Sequence, residues 1–243
     1  MKPSQVDIII PVHNRLEHTI QTLDSLIKNT PHDAFNLYVI DDKSNDHVYG
    51  ELESYARKSA KQFELFHNIE NIGPGATRNF ICKEIIKKDM RSKYLYHSDN
   101  DVYFKENWLQ ILTDIYKTVE NKGIKILGAS CHPYLQNSSQ INLIGSPYIQ
   151  CVVGIKDAVS GYSQLMTWET WDTFGPFDET MRGQEKKIMG SEDWAFCQKI
   201  IKAGFKVGSV QPEVVVPCGK TNTYGDPATG SETFKNVAGV MVK

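Results

Sequence analysis

The chain carries, at Tyr94-Leu95-Tyr96-His97-Ser98-Asp99-Asn100-Asp101, an apolar run that stops abruptly at two carboxylates spaced i, i+2. In extended backbone, residues two apart point to the same side and lie about 6 to 7 Å apart. Two such carboxylates can converge on one hard cation at metal–oxygen distances of ~2.1 Å. An isolated Asp-x-Asp also occurs in solvated turns and caps. Because open α/β sheets bind ligands at the carboxyl ends of their strands, we interpret Asp99 and Asp101 as metal ligands.

Length and composition indicate one soluble domain. The 243 residues have a mass of 27.5 kDa, which is enough to bury a substantial core. The formal net charge of −2 creates no global field that would attract nucleic acid or an anionic membrane. The first residues contain no signal-peptide core, and no apolar run approaches the ~20 residues that a membrane span needs.

The cysteines favour a reducing compartment. There are five of them, widely spaced and without a Cys-x-x-Cys pair. This pattern argues against both a disulfide framework and a structural zinc site. We therefore predict a cytoplasmic protein.

Strands and helices alternate through the first hundred residues. Asn14 is the expected N-cap of the first helix, and the third helix is expected to bury Phe80, Ile81, Ile85 and Ile86. The alternation predicts right-handed crossovers and a mainly parallel, Rossmann-like central sheet flanked by helices. In chain order the predicted elements are strand 6–12, helix 15–28, strand 36–42, helix 49–62, strand 63–66, a helix from about residue 76, and the strand that ends at Asp99.

The pattern loosens after Asp101. A helix is predicted from Trp108 to about Tyr116 and a strand over 125–131, whereas residues 132–164 mix turn residues with short β-prone pieces. We interpret this part as a smaller β/loop region that shapes a substrate pocket. The tail over 221–243 is polar and glycine-rich, which is typical of a mobile lid or a frayed terminus.

A second acidic constellation reads Gly190-Ser191-Glu192-Asp193-Trp194. It opens a helix whose apolar residues recur on one face and which ends at Gly204, a typical C′ residue. Two acids and an aromatic residue at a helix start also fit a plain capping sequence. Taken alone, the pair therefore has two open interpretations, a cap or a catalytic site.

Together these pieces resemble the family 2 glycosyltransferases of the GT-A fold, across nearly the whole chain. Six matching pieces occur in the expected order, and their number and order carry the resemblance more than any one of them. They are Ile10-Pro11-Val12-His13-Asn14, Val39-Ile40-Asp41-Asp42-Lys43-Ser44, Asn71-Ile72-Gly73-Pro74-Gly75-Ala76-Thr77-Arg78-Asn79, Asp99-Asn100-Asp101, Phe174-Gly175-Pro176-Phe177-Asp178-Glu179, and Glu192-Asp193-Trp194 ahead of Ala203-Gly204-Phe205.

The resemblance implies one GT-A domain over 1–243, with a nucleotide-sugar donor half over 1–101 and an acceptor half over 102–220. It implies that an acid at the end of the second strand contacts the base. Asp41 and Asp42 fit that position, although an acid pair that caps Ser44 and Asn45 remains an alternative. Arg78 is expected to meet the diphosphate or the base near a helix N-terminus. The other residues implied to border the nucleotide are Pro11, Val12, His13, Asn14, Gly73 and Asn100.

For the metal, the resemblance implies that Asp101 binds Mn²⁺ or Mg²⁺ and that Asp99 holds the ribose or a metal-bound water. Many relatives supply a further histidine ligand after the Glu-Asp helix, but this chain has no histidine beyond His132. In the corresponding region of this chain, either diphosphate oxygens and water complete the coordination, or a side chain lies near the ion, or metal dependence is weak. Cys218 is expected to be a buried apolar residue, with proximity to the ion as the alternative, while Thr221 is a candidate neighbour of the ion and Lys220 of the phosphate.

On the acceptor side, the resemblance implies that Asp193 is the general base and that Glu192 is its acceptor-binding or structural partner. A base at this place implies a single displacement with inversion. Aromatic residues in the preceding segment either shape the acceptor pocket or pack in the core, and the core is favoured for Trp171 and Phe174. Trp168 and Tyr162 stay open, and the loop 182–190 is either a lid or a plain surface excursion.

The resemblance therefore implies a metal-dependent transferase that moves a sugar from a nucleotide-diphosphate sugar, UDP-linked by preference, to a hydroxyl acceptor. The acceptor is a glycan, a lipid-linked sugar, a protein or a modified base. A noncatalytic nucleotide-sugar or glycan binding module is the first alternative. A sugar-1-phosphate nucleotidyltransferase is the second, but the chain lacks the glycine-rich loop with Arg and Lys that this class carries after its first strand.

Overall fold

A mixed sheet with helices on both faces organises the chain. The computed structural model describes residues 5–129, 140–143, 151–181, 192–211 and 213–218. The predicted lid over 182–190, the tail over 221–243, Lys220 and Thr221 lie outside these residues. None of the helices within the described ranges is long and apolar enough to cross a membrane.

The described chain contains eleven strands and six α-helices, with two short 3₁₀ turns at Glu120–Lys122 and Glu179–Met181. The strands are β1 (Val6–Val12), β2 (Phe35–Asp41), β3 (Glu64–His67), β4 (Tyr94–Ser98), β5 (Val102–Phe104), β6 (Ile124–Gly128), β7 (Gln140–Leu143), β8 (Cys151–Lys156), β9 (Ser163–Thr167), β10 (Lys206–Gln211) and β11 (Val215–Pro217). The helices are α1 (Leu16–Lys28), α2 (Asp46–Lys58), α3 (Pro74–Lys87), α4 (Trp108–Val119), α5 (Trp168–Phe174) and α6 (Glu192–Lys202).

The strand order within the described residues is β3-β2-β1-β4-β9-β6-β10-β8-β7, and β5 and β11 form a separate antiparallel pair. The first four strands are parallel, as the alternation of strands and helices predicts. Beyond them, β9 runs antiparallel between β4 and β6, while β10 is parallel to β6. The predicted α/β class with a mainly parallel sheet and a smaller β region is therefore confirmed.

The core has two layers because side chains of a strand alternate between its two faces. Ile8 and Ile10 of β1 face the layer that contains α1, α2 and α4, whereas Ile9 faces the layer that contains α3, α5 and α6. Both faces of β1 are therefore covered, which explains its continuous β-branched sequence. The carboxyl ends of β1, β2 and β4 consequently point to the same edge of the sheet.

Several local predictions need correction. Asn14 does not cap α1, because the N-cap position belongs to Arg15, which has a left-handed backbone and no capping side-chain bond. Helix α3 buries Ile81 and Ile85, but Phe80 and Ile86 are 38% and 40% exposed. Phe80 and Ile86 therefore lie outside the buried face of α3, although both are apolar.

Candidate active site

The loop after β1 has a backbone conformation that residues other than glycine seldom adopt. Asn14 and Arg15 have φ angles of 56° and 53°, both in the left-handed region. The backbone N–H of Asn14 donates to Ser44 Oγ at 2.7 Å, and its Oδ1 accepts from the N–H of Asn45 at 3.2 Å. These bonds tie the end of β1 to the end of β2 and hold the chain in this turn.

His13 belongs to the same junction. Its Nδ1 lies 3.0 Å from the carbonyl oxygen of Asp42. A carbonyl only accepts, so Nδ1 carries the proton and Nε2 accepts from the Asn14 amide at 3.2 Å. Pro11 and Val12, also expected to border the nucleotide, have their side chains buried within β1.

The two acids that follow β2 are buried and have different partners. Asp41 accepts from the backbone N–H of Ser44 at 3.2 Å and from His67 Nδ1 at 2.8 Å. The first bond is the turn role that the sequence left open as an alternative. Asp42 instead accepts from the backbone N–H groups of Ile72 and Gly73 at 2.9 and 2.8 Å. Asp42 therefore fixes the loop that leads into α3.

Arg78 does not lie on an open surface, as a phosphate-binding arginine would. Its side chain is 1% exposed, and one terminal nitrogen donates to Asp99 Oδ1 at 2.5 Å. The other donates to Glu192 Oε1 at 3.3 Å. The first nitrogen also lies 3.3 Å from the carbonyl oxygen of Gly161. Arg78 is thus a structural link in this structure, and its predicted contact with the diphosphate or the base would require it to leave these partners.

Two glycines permit the close approach on which this link depends. A Cβ on Gly75, in the first turn of α3, would lie 2.9 Å from Glu192 Cγ. That distance is shorter than real Cβ contacts allow. Gly73, just before α3, has a φ of 84°, which favours glycine. The glycines of the third matching sequence piece therefore bring the N-termini of α3 and α6 together.

The three side chains of the Asp99-Asn100-Asp101 turn have different partners. Asp99 meets Arg78, whereas Asp101 Oδ2 accepts from Arg15 at 2.8 Å. Asn100 donates to Thr19 Oγ1 on α1 at 2.8 Å. This bond holds the turn against α1, while the contact of Asn100 with the nucleotide stays a prediction.

Asp193 and Glu192 occupy distinct environments at the start of α6. Asp193 accepts from the backbone N–H of Gly161 at 2.8 Å and from that of Trp194 at 2.7 Å. Glu192 is paired with Arg78. Burial raises the pKa of Glu192, and Arg78 partly offsets this effect. The two carboxylates thus differ in these partners: Asp193 accepts from backbone N–H groups, and Glu192 pairs with the guanidinium of Arg78.

Other candidates from the sequence are core residues. Trp168 and Trp171 are 5% and 6% exposed, and Trp168 Nε1 donates to the carboxylate of Asp7. Cys218 is 4% exposed, and burial raises the pKa of its thiol. Its backbone N–H donates to the carbonyl oxygen of Asp101 at 2.6 Å. Through this bond Cys218 supports the turn that carries Asp101.

The sequence did not indicate three participants, namely Arg15, His67 and Gly161. Arg15 directly follows the Ile10–Asn14 motif, His67 ends β3, and Gly161 lies shortly before β9. This proximity is the signal that the sequence offers for them. Residue type carried no further information, because their partners are 86, 26 and 32 positions away along the chain.

Residues 7–127 match the model of the family described as glycosyl transferase family 2. The chain belongs to glycosyl transferase family 2. This assignment agrees with the order of motifs at the strand ends. The matched range covers β1 to β6 and includes Asp99 and Asp101, but it ends before Glu192 and Asp193.

Two curated relatives match this family 2 chain over just under half its length, with identities of 33% and 27% in the aligned part. An uncharacterized glycosyltransferase of Rickettsia bellii is 33% identical over 111 residues, which is 46% of this chain and 15% of the relative. The poly(ribitol-phosphate) beta-glucosyltransferase of Bacillus spizizenii is 27% identical over 133 residues, which is 49% of this chain and 20% of the relative. The chain thus spans a small part of the length of these proteins.

Solved structures share the fold over most of the family 2 chain. The mannosyltransferase PcManGT of Pyrobaculum calidifontis, in complex with GDP-Man and Mn²⁺, has a TM-score of 0.67 at 15% identity and covers 92% of this chain and 59% of its own. TarS 1-349 of S. aureus, in complex with UDP-GlcNAc, has a TM-score of 0.59 at 18% identity and covers 87% and 57%. These likenesses confirm the GT-A fold.

The acids of the family 2 site fit a divalent cation that also binds phosphate. Asp99 and Asp101 offer carboxylate oxygens, the donors that Mg²⁺ and Mn²⁺ prefer. Among the described residues, no group of three His, Cys, Asp or Glu side chains could hold a metal by itself. A cation here therefore suits a site completed by phosphate oxygens and water, which is common for Mg²⁺.

Arg15 competes with a cation for Asp101, because its guanidinium bonds the same carboxylate. We expect Arg15→Met to raise the affinity of the free protein for Mn²⁺ about 2- to 5-fold, the range of an exposed ion pair. Titration of free Mn²⁺ by electron paramagnetic resonance measures this affinity directly. Arg57→Met is the matched control, since Arg57 is 69% exposed and pairs with Glu53 on α2. An unchanged affinity in Arg15→Met would show that the pair does not screen Asp101.

Proposed function

We propose that this family 2 domain transfers a sugar from a nucleotide-diphosphate sugar to an acceptor hydroxyl, with inversion at the anomeric carbon. One observation carries the proposal. The acid that follows β4, Asp99, and the acid that begins α6, Glu192, bind the same buried guanidinium of Arg78. The predicted donor acids and acceptor acids are thereby held side by side, as a transfer between two substrates requires.

The chemistry is a single displacement. The acceptor oxygen attacks the anomeric carbon from the face opposite the diphosphate and forms the new C–O bond. The bond between that carbon and the β-phosphate oxygen breaks, and its electron pair leaves with the oxygen. The hydroxyl proton passes to the carboxylate of Asp193, which serves as general base. One displacement inverts the configuration at the carbon.

The partners of the two acids support Asp193 as this base. Burial raises the pKa of Glu192, but its carboxylate is already paired with Arg78, so taking up a proton would break that ion pair. The Asp193 carboxylate is oriented by the backbone N–H groups of Gly161 and Trp194, which donate one bond to each of its oxygens. Glu192 then serves as the structural partner that fixes the start of α6.

The donor side uses the acids of the β4 turn. Asp101, with Asp99 beside it, would hold Mn²⁺ or Mg²⁺, which when bound stabilises negative charge on the departing diphosphate. Asp42 and His13 keep the surrounding loops in place, and we propose that Asp41 contacts the base. TarS in complex with UDP-GlcNAc supports UDP as the nucleotide, and PcManGT in complex with GDP-Man makes GDP the first competitor.

The remaining assignments are proposals of the same kind. We divide the domain into a donor half over 1–101 and an acceptor half over 102–220. The free cysteines of the described chain, Cys82, Cys197 and Cys218, are all buried, which is compatible with the cytoplasm as the compartment. The acceptor is a hydroxyl of a glycan, lipid-linked sugar, protein or modified base. The name of the Bacillus spizizenii relative adds poly(ribitol phosphate) to the acceptors worth testing.

Thermal denaturation with UDP, GDP, CDP and dTDP, each with and without Mn²⁺, tests the donor site. A nucleotide at 100 times its Kd stabilises the native state by about 2.7 kcal/mol, which raises Tm by roughly 5 to 10 °C for a domain of this size. We expect one nucleotide to give such a shift only with Mn²⁺, and Asp101→Ala to abolish it. Asp33→Ala, at an exposed acid, is the control and retains the shift.

A noncatalytic binding module is the competing function, and the absence of a third protein metal ligand among the described residues favours it. Donor turnover separates the two functions. A transferase releases nucleoside diphosphate from its donor in the presence of Mn²⁺, whereas a binding module gives the same thermal shift without release. If no nucleotide shifts Tm under any condition, the transferase proposal is withdrawn.

A further inference from the structure

Arg78 contacts the acids of both halves of the site and also the backbone of Gly161. We propose that Arg78 is a positioning residue for the base, acting on Asp193 through the backbone of Gly161. This inference rests on the proposed function, because it takes Asp193 as the base.

The chain of contacts is short and continuous. An Arg78 terminal nitrogen lies 3.3 Å from the carbonyl oxygen of Gly161, and the N–H of the same glycine donates to Asp193 Oδ2 at 2.8 Å. The N–H and the C=O of Gly161 belong to two adjacent peptide planes that meet at its Cα, and the outer ends of both are held, one by Asp193 and the other by Arg78. The position of the guanidinium thus sets the direction of the bond that orients the Asp193 carboxylate.

Close packing makes this connection stiff. A Cβ on Gly161 would lie 3.4 and 3.5 Å from the two terminal nitrogens of Arg78 and 3.6 Å from Asp193 Cβ. Gly161 therefore lies between the guanidinium and the base, and a Cβ there would already be in van der Waals contact with both. Because the Arg78 side chain is 1% exposed, water cannot take over its bonds when it moves.

Two further bonds fix Arg78 itself. Glu192, which precedes Asp193 in the chain, binds one terminal nitrogen, and Asp99 of the donor turn binds the other. The base is thereby held on two sides by one side chain, through Gly161 and through its neighbour Glu192. The same side chain is anchored on the donor acid, so the distance between donor and base depends on Arg78.

A double-mutant cycle tests the connection, with water as the acceptor. The measurement is release of nucleoside diphosphate from UDP-GlcNAc or GDP-mannose, whichever donor turns over with Mn²⁺. We expect Arg78→Met to lower kcat about 10²-fold, the effect of a displaced catalytic group, with less than about 3-fold change in donor KM. In the Asp193→Asn background, Arg78→Met should change kcat by less than about 3-fold, because the base on which Arg78 acts is already lost.

Further variants cover the case in which Arg78→Met fails to fold. Arg78→Lys keeps the charge but cannot reach Asp99, Glu192 and Gly161 together, so an intermediate kcat is expected. Gly161→Val pushes its branched side chain between Arg78 and Asp193 without removing a charge, and it should also lower kcat only when Asp193 is present. Arg57→Met and Gly50→Val, at exposed positions of α2, are the matched controls.

The outcomes separate the inference from the proposed function. Full kcat in Asp193→Asn alone contradicts Asp193 as base and thus the proposed mechanism. A reduced kcat in Asp193→Asn, together with a further loss of about 10²-fold on adding Arg78→Met or Gly161→Val, leaves the mechanism standing and overturns the positioning role. A further loss below about 3-fold supports both.

Discussion

The Asp193→Asn variant is expected to turn over its donor at a rate about 10²- to 10⁴-fold lower than the unaltered protein, the usual contribution of a general base. The asparagine carbonyl still accepts the bond that Gly161 donates to Asp193, so the start of α6 stays in place. An amide oxygen does not take up the acceptor proton at neutral pH. Loss of activity therefore reports loss of the base and not loss of the fold.

Two measurements make this expectation specific. The Mn²⁺-dependent thermal shift with the preferred nucleotide should be retained in Asp193→Asn, because no donor-side residue is changed. Glu192→Gln is the matched comparison, since it alters the adjacent acid, whose partner is Arg78. If Glu192→Gln lowers kcat by more than Asp193→Asn does, the base assignment must move to Glu192.

The second large effect concerns stability at the opposite edge of the sheet. Asp7, at the start of β1, is completely buried, and its two carboxylate oxygens accept four hydrogen bonds. These are the bonds from Asn36 Nδ2 at 2.9 Å, Ser92 N at 2.7 Å, Ser92 Oγ at 2.9 Å and Trp168 Nε1 at 2.8 Å. One carboxylate thus joins β2, the chain before β4, and α5 to the central strand.

We expect Asp7→Ala to lower the free energy of unfolding by about 3 to 5 kcal/mol, because the buried Trp168 and the partly buried Asn36 and Ser92 lose their acceptor at once. Asp7→Asn should have a smaller effect, about 1 to 2 kcal/mol. The –NH₂ group of the new asparagine can take the place of Oδ1 and donate there. The Ser92 hydroxyl can turn to accept this bond, and the Asn36 amide can flip to present its oxygen. Urea denaturation monitored by circular dichroism gives these values.

Asp33→Ala serves as the control for Asp7, since Asp33 is an exposed acid in the turn before β2 and its removal should change stability by less than about 0.5 kcal/mol. The variants that fold should retain the kcat of the unaltered protein, because Asp7 lies at the end of β1 remote from the acids of the site. An Asp7→Ala protein as stable as the control would mean that the four bonds contribute no net stability.

Much of the architecture could be predicted from local patterns. Continuous β-branched runs such as Val6–Val12 indicated strands covered on both faces, and their alternation with helices indicated parallel pairing, which β1 to β4 show. The antiparallel insertion of β9 between β4 and β6 was not predictable in this way. Strand order depends on which surfaces pack best in three dimensions, and a periodicity in one segment does not contain that information.

The site divides along the same line. By its order of residues alone, the chain determined that acids follow β2 and β4 and begin α6, and that the carboxyl ends of the parallel strands share an edge. Only the tertiary structure decided which polar groups those acids meet: Ser44 and His67 for Asp41, Arg15 for Asp101, and the buried Arg78 for both Asp99 and Glu192. The reason is physical. A strand end is set by neighbouring residues, whereas a hydrogen bond depends on distances of about 3 Å between groups that the fold brings together from up to 114 positions apart.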